Sequence, residues 1–369
     1  MVSYKALYRK YRPKSFDEVI GQQHITTTLK HQIQSGEIGH AYLFCGSRGT
    51  GKTSVAKIFA KALNCKNPID GSPCGKCEVC LSLEQESNMD VLEIDAASNN
   101  RVDEIRNLRE NVKFMPVVAS KKVYIIDEVH MLTDSAFNAL LKTLEEPPNH
   151  VVFVLATTEP HKLPATILSR CMRFDFALIG ITTLVKHLKR VFETEKIAFE
   201  EDALKLIAGS AEGSVRDCLS IADCVVAFSN NNVTVKAVTS VLGTVDKENL
   251  IAFTQTIIDK NIGLGLEIIE KVCSSGKNVA MFAKNMTIHF RNLLVVKTCE
   301  KPNDILLLPA ELLTKYFLQA ESLQSDKLIF FMKTFSAIES ELKYALSPRS
   351  LVEIAFLSCI SGDDCQKKK

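Results

Sequence analysis

Eight consecutive residues, Gly46-Ser47-Arg48-Gly49-Thr50-Gly51-Lys52-Thr53, carry the spacing G-x-x-x-x-G-K-[ST] between an apolar run at 41–46 and a helical stretch at 54–63. No other feature of the chain constrains its fold as much. A strand, a glycine-rich turn and a helix in this order let backbone N–H groups curl around phosphate oxygens, and the helix amino terminus adds partial positive charge. Lys52 is placed to reach the β- and γ-phosphates, and the Thr53 hydroxyl to ligate Mg²⁺. The bland alternative, a turn that binds nothing, is disfavoured by the flanking strand and helix.

Four further runs have the length and β-branched content of buried parallel strands: VLEIDA at 91–96, KVYIID at 122–127, VVFVLATT at 151–158 and MRFDF at 172–176. Helical stretches lie between them. At 135–146, Phe137, Leu140, Leu141 and Leu144 recur at the spacing of one helix face. Strands alternating with helices predict an α/β fold with a doubly wound parallel sheet. After Phe176 the strands are expected to stop, and amphipathic stretches at 182–195, 201–210 and 215–228 predict a small helical lid. A turn-rich SNNNVTV at 229–235 leads to a second, mostly helical section ending near Cys359. The expected divisions are 1–178, a lid at 179–241, and an all-α domain at 242–369.

The run VYIID-E ends in Asp127 and Glu128, at the end of a strand near the glycine-rich loop. Such a pair divides the labour: Asp127 positions Mg²⁺, and Glu128 orients and deprotonates an attacking water as general base. Thr157 and Thr158 end another strand, where a hydroxyl can sense the γ-phosphate or simply form a turn; the sequence does not choose between the two residues. Cys65-x₈-Cys74-x₂-Cys77-x₂-Cys80 places four thiols within a short insertion between the helix after the loop and the second strand. Four thiolates at this spacing suit one tetrahedral structural Zn²⁺. An iron–sulfur cluster is the competing reading, but no cysteine follows Cys80 at the x₃ position and there is no Cys-Pro. The remaining eight of the twelve cysteines sit singly in apolar patterns and are expected to be reduced core residues.

Charge and hydropathy set outer limits. The net charge of +2 excludes a protein that binds nucleic acid through overall charge, so any contact must come from a local patch. The basic, aromatic amino-terminal stretch lacks the pattern of a secretory signal, and nowhere do about 18 apolar residues run uninterrupted as a membrane span needs. A cytoplasmic protein without membrane contact is expected.

Several longer strings occur together: Tyr11-Arg12-Pro13, DEVIGQ at 17–22, HAYLFCGSRGTGKT, IIDEVHML, LLKTLEEPP, LATTEPHKLPATILSRC and GSVRDCLS. On these the chain closely resembles the gamma/tau family of bacterial DNA polymerase III clamp-loader subunits, over nearly its whole length. The resemblance implies an AAA+ P-loop ATPase with a zinc-binding insertion, a helical lid and a helical collar, working as part of the DNA-directed DNA polymerase III holoenzyme. It implies that Tyr11, Arg12, Pro13, Val19 and Ile20 wrap the adenine of ATP, beside Gly46, Ser47, Arg48, Gly49, Thr50, Gly51, Lys52 and Thr53 at the phosphates. It also implies that Arg170 is an arginine finger acting on a neighbour's ATP and that Arg216 senses the nucleotide of its own subunit. Arg101, after the less basic Asn99 and Asn100, matches a DNA-facing position, with an ordinary helix cap as the alternative.

Implied partners are the delta and delta-prime subunits, further copies of the chain in a pentamer, the sliding clamp and primer–template DNA. A non-hydrolysing scaffold subunit is the first alternative; Lys52, Thr53, Asp127 and Glu128 are all retained against it. A AAA+ translocase that migrates branched DNA is the second, and for it a winged-helix end and no cysteine insertion are expected.

Overall fold

The computed structural model describes residues 5–84, 88–98, 108, 110–242, 247–274, 279–302, 306, 310–342, 344–345 and 347–362. The chain divides into two compact units, 1–238 and 239–369. The first is built on five parallel strands, β1 (Ala41–Gly46), β2 (Val91–Asp95), β3 (Lys122–Asp127), β4 (Val151–Thr157) and β5 (Met172–Phe176), in the order β2-β3-β4-β1-β5. The central strands β1, β3 and β4 read as continuous apolar runs because both of their faces are covered, while the edge strands β2 and β5 are only partly buried.

Side chains alternate between those faces. Tyr42, Phe44, Val123, Ile125, Val152 and Val154 pack with Ile25, Leu29, Val55 and Phe59 from the helices α2 (Gln23–Ser35) and α3 (Lys52–Asn64). Leu43, Tyr124, Ile126, Phe153 and Leu155 pack on the other face with Phe137, Leu140 and Leu144. Those three belong to a helix at Asp134–Glu145 whose first turn is capped by the Thr133 hydroxyl, which accepts from the Ala136 amide. Preceding α2, a single helical turn, α1 (Leu7–Lys10), leads to the buried Phe16; α4 (Glu78–Ser82) carries the last of the clustered cysteines. The helix at Asp134–Glu145 is α5, and after it come α6 (Ala165–Leu168), α7 (Ile181–Glu195), α8 (Glu201–Ser210), α9 (Val215–Ser229) and α10 (Val235–Leu242).

Two expectations need correction. Strands do not stop at Phe176: β6 (Ala198–Phe199) and β7 (Asn232–Val233) form a short parallel pair between the lid helices. Left-handed turns at Lys196, Asn230 and Asn231 end α7 and α9 and turn the chain into these two-residue strands, too short to leave a sequence period. Nor are the scattered cysteines uniformly in the core. Cys45, Cys218 and Cys359 are buried, but Cys171, Cys273 and Cys299 are half-buried and Cys224 is exposed; Cys365 lies outside the described residues. Cys224 and Phe228 share the outer face of α9 at i and i+4, so their apolar character marks a helix without saying which face is inside.

The second unit is all helical where described: α11 (Lys247–Ile258), α12 (Ile262–Ser274), α13 (Val279–Thr298), α14 (Ala310–Ser322), α15 (Ser325–Glu341) and α16 (Pro348–Ser361). Phe253, Phe282, Phe290, Phe335 and Phe356 interlock at its centre, Phe253 edge-on to Phe282 at 5.2 Å. Among the described residues no helix is long and apolar enough to cross a membrane.

Candidate functional site: a phosphate loop under a helical lid

β1 delivers the chain to the glycine-rich loop, and α3 begins at Lys52, directly after Gly51 in a left-handed conformation (φ 104°). Gly46 has no room for a side chain: a Cβ there would lie 2.5 Å from the Phe176 carbonyl oxygen on the adjacent strand. Gly49 is equally confined, because a Cβ would approach the Ser214 hydroxyl to 2.0 Å. Its carbonyl instead accepts from the Val215 amide at 3.1 Å, so the first turn of α9 rests on the loop.

Lys52 is 5% exposed and donates to the carbonyls of Gly46 (2.7 Å) and Ser47 (2.9 Å). Burial lowers its pKa, while the Glu128 and Asp127 carboxylates oppose that shift. The Thr53 hydroxyl donates to Asp127 Oδ2 at 2.7 Å, joining the start of α3 to the end of β3. Glu128 follows in the left-handed region (φ 47°), a conformation uncommon for a residue with a Cβ, and its amide donates back to Asp127 Oδ1 at 3.0 Å. The turn aims its carboxylate at Thr158, whose hydroxyl donates to Glu128 Oε2 at 2.9 Å.

The two threonines therefore do different things. Thr157 is fully buried and its hydroxyl meets His130 Nδ1 at 3.0 Å and the Glu159 amide at 3.0 Å. Thr158 alone touches the acidic pair. His130 also approaches Glu128 at 3.4 Å and Glu159 at 3.4 Å, tying together the ends of β3 and β4.

A cleft of about 780 Å³ opens beside these groups. Of the residues singled out from sequence, Tyr11, Arg12, Pro13, Val19, Ile20, the segment from Arg48 to Thr53, Asp127, Glu128 and Arg216 line it. Gly46 and Ser47 lie beneath, holding Lys52; Thr157, Thr158 and Arg170 are not part of its wall. Arg170 instead pairs with Glu145 at 2.9 Å and donates to the Thr166 carbonyl at 2.8 Å. Arg101, Asn99 and Asn100 lie outside the described residues.

Sequence reasoning missed Tyr8, His187, Val215 and Leu219 in the wall, and Gln22 behind it. Gln22 is fully buried; its carboxamide donates to the Ala177 carbonyl at 2.8 Å and accepts from the Ala177 amide at 3.2 Å, fixing the chain where β5 ends. The strap is tied to the lid as well: the Leu7 amide donates to Asp223 at 2.7 Å, Lys10 pairs with Glu195 at 2.6 Å, and the Tyr11 hydroxyl donates to the same Glu195. Burial, reinforced by the Glu195 carboxylate, pushes the Tyr11 hydroxyl up to about 12, so it stays a donor. Arg12 Nε donates to Ser54 at 3.1 Å and links the strap to α3.

Away from the cleft, the Sγ atoms of Cys65, Cys74, Cys77 and Cys80 lie within 4.8 Å of one another. A tetrahedral ion with bonds of about 2.3 Å sets sulfurs about 3.8 Å apart, so the four fit one such ion with little movement. Amides already point at the sulfurs, Cys77 N to Cys74 Sγ and Cys80 N to Cys77 Sγ at 3.4 Å each. The Cys80 and Lys66 amides hold the Cys77 thiol down at about 6, and those of Lys76 and Cys77 lower Cys74, whereas burial raises Cys65 and Cys80. Thiols biased toward thiolate are the metal-binding form.

A phosphate-cradling loop roofed by a lid that brings its own arginine is the plan of the AAA+ class of P-loop nucleotide-binding proteins, and this chain is built on it. Residues 21–179 match the family described as DNA polymerase III, delta subunit; 183–231 match the ATPase lid domain of the DNA polymerase III clamp loader subunit; and 233–369 match domain III of DNA polymerase III subunits gamma and tau. The chain is 44% identical over 355 residues to DNA polymerase III subunit tau of Bacillus subtilis, covering 96% of this chain and 63% of that protein. It is 45% identical over 275 residues to the tau subunit of Escherichia coli, covering 74% and 43%. The chain belongs to the gamma/tau family of DNA polymerase III clamp-loader subunits. It spans well under two thirds of its Escherichia coli relative and 63% of the Bacillus one. Among solved structures it is similar to the RuvB Holliday junction branch migration motor of Thermotoga maritima (TM-score 0.49, 21% identity, 73% of this chain and 86% of that one), a likeness from which nothing about function follows.

Proposed function

We propose that the chain is an ATP-hydrolysing motor subunit of a bacterial clamp loader, loading a sliding clamp onto primed DNA. The observation that carries this reading is the placement of Asp127 and Glu128 on the wall of one cleft, Asp127 bonded to Thr53 there and Glu128 to Thr158 just outside it. Thr53 and Asp127 hold the Mg²⁺ shell, and the ion when bound offsets charge on the phosphates. Lys52 exchanges the Gly46 and Ser47 carbonyls for phosphate oxygens. Glu128 takes the proton of the attacking water, and Thr158, rather than Thr157, steadies both carboxylate and water. The strap from Tyr11 to Ile20 covers the adenine, and Arg216 contacts the phosphates of its own subunit. Arg170, outside its own cleft and one third exposed, serves a neighbour's nucleotide.

In this reading 1–178 bind ATP, 179–241 form the moving lid, and 242–369 form a collar that joins the chain to delta, delta-prime and further copies of itself in a pentamer. Arg101 faces DNA phosphates. The scaffold alternative is disfavoured by the intact pairs at the cleft. Reconstitution with partner subunits tests the whole: adding sliding clamp and primer–template DNA raises ATP turnover, and turnover indifferent to both overturns the reading.

The four clustered cysteines hold one Zn²⁺ in a closed, structural site. Metal analysis of protein purified without added metal gives about one zinc per chain. Cys77→Ser lowers the melting temperature by several degrees, since ~1 kcal/mol is worth about 2–4 °C in a domain of this size. Iron in place of zinc, or a metal-free protein of unchanged stability, contradicts the assignment.

A further inference from the structure

Arg216 and Tyr8 come from opposite ends of the first unit and meet at the wall of the cleft. The Arg216 guanidinium carbon lies over the Tyr8 ring, 5.6 Å from its centre, within the range of a cation–π contact. Among the described residues no carboxylate pairs with this guanidinium. The difference matters chemically. An ion pair would occupy the N–H groups of the arginine, whereas contact with a ring face orients the planar head and leaves its in-plane donors free for phosphate oxygens.

Tyr8 is also held where Arg216 is held. Its helix, α1, is fastened to the lid by the Leu7 amide on Asp223 of α9 and by Lys10 on Glu195 of α7. Arg216 stands in the first turn of the same α9, whose Ser214 cap accepts from the Asp217 amide at 3.1 Å. Ring and guanidinium are therefore both held by the lid helices. The ring is shared: the exposed Arg9 guanidinium also lies 5.6 Å from its centre and donates to the Tyr8 hydroxyl at 3.0 Å, so Arg216 is one of two cations against Tyr8.

We infer that Tyr8 is a positioning residue for Arg216: its ring holds the guanidinium at the cleft with its donors unspent, so that the lid reads the terminal phosphate of ATP. The inference rests on the proposed role of Arg216 as a phosphate contact. Tyr8 acts through Arg216, so its removal costs affinity for the triphosphate and leaves the diphosphate untouched.

Binding of a non-hydrolysable ATP analogue and of ADP is measured for the full chain carrying Tyr8→Leu, Tyr8→Phe, Arg216→Ala, and Tyr8→Leu with Arg216→Ala. Tyr8→Leu weakens the ATP analogue about two- to fivefold and leaves ADP unchanged, as loss of an exposed cation–π contact predicts. Tyr8→Phe, which keeps the ring, matches the parent. In the Arg216→Ala background Tyr8→Leu adds nothing. If Arg216→Ala weakens the analogue but Tyr8→Leu does not, the positioning role is overturned and the role of Arg216 stands. Equal loss for analogue and ADP, or loss that persists without Arg216, likewise overturns it, assigning Tyr8 to packing alone. If Arg216→Ala itself fails to distinguish analogue from ADP, both readings fall.

Discussion

Glu128→Gln is expected to lower the ATP turnover of the assembled complex by about 10²–10⁴-fold, the usual contribution of a general base, while ATP binding survives. Glutamine keeps the length of the side chain and an oxygen to accept from the Thr158 hydroxyl, now 2.9 Å from the carboxylate. It tolerates the left-handed backbone at this position no worse than glutamate does. What it lacks is the charge to take a proton from water. Single-turnover hydrolysis beside equilibrium ATP binding separates the two effects. A fall of less than about tenfold would remove Glu128 from the role of base, and loss of binding would show that the substitution disturbs the loop instead.

Arg170→Ala is expected to act at a distance from its own nucleotide. Arg170 does not line the cleft of its own chain and rests on Glu145 and the Thr166 carbonyl, both on the same surface. An arginine supplied in trans to phosphoryl transfer is worth about 10³–10⁵ in rate, so turnover in the assembly should fall by at least the lower figure. ATP binding by the isolated chain should not change. Mixing the variant with a Glu128→Gln chain sharpens the measurement: in the proposed pentamer each copy lacks a different half of a site, so the order of the two variants decides which sites still turn over. Unimpaired turnover of the Arg170→Ala assembly would leave the arginine as a partner for Glu145 and nothing more. The exposed pair with Glu145 contributes little by itself to stability, so the substitution leaves folding intact.

The parts of the molecule most visible in the sequence are those where one residue type answers one physical demand. β1 and β3 follow their apolar runs to the residue because both of their faces are covered, whereas the edge strand β5 is marked only by its buried Phe174 and Phe176. Gly46 and Gly49 are readable because any side chain would strike Phe176 or Ser214. The four clustered cysteines are readable because their spacing permits convergence. What escaped depends on which way a helix or turn faces. His187 reaches the cleft from a helix whose periodicity identifies a buried stripe but not what lies opposite it, and Tyr8 from a single turn too short to show any period. Cys224 looked like core for the same reason. Thr157 and Thr158 were interchangeable in sequence because their division of labour arises from the turn at Glu128, which no pattern of apolar residues records.

β4 turns that division into a question of counting. All seven of its residues are buried, and its last, Thr157, stands opposite Cys45 on β1, just before the hydroxyl that meets Glu128. Because side chains change face at every step, one residue gained or lost within 151–157 would exchange the hidden hydroxyl for the working one and turn the apolar side chains between the change and Thr157 to the opposite face. Substitutions among apolar residues of similar volume are far less disruptive. The strand is thus a ruler as much as a wall: over evolutionary time its letters are free to drift, but its length is not.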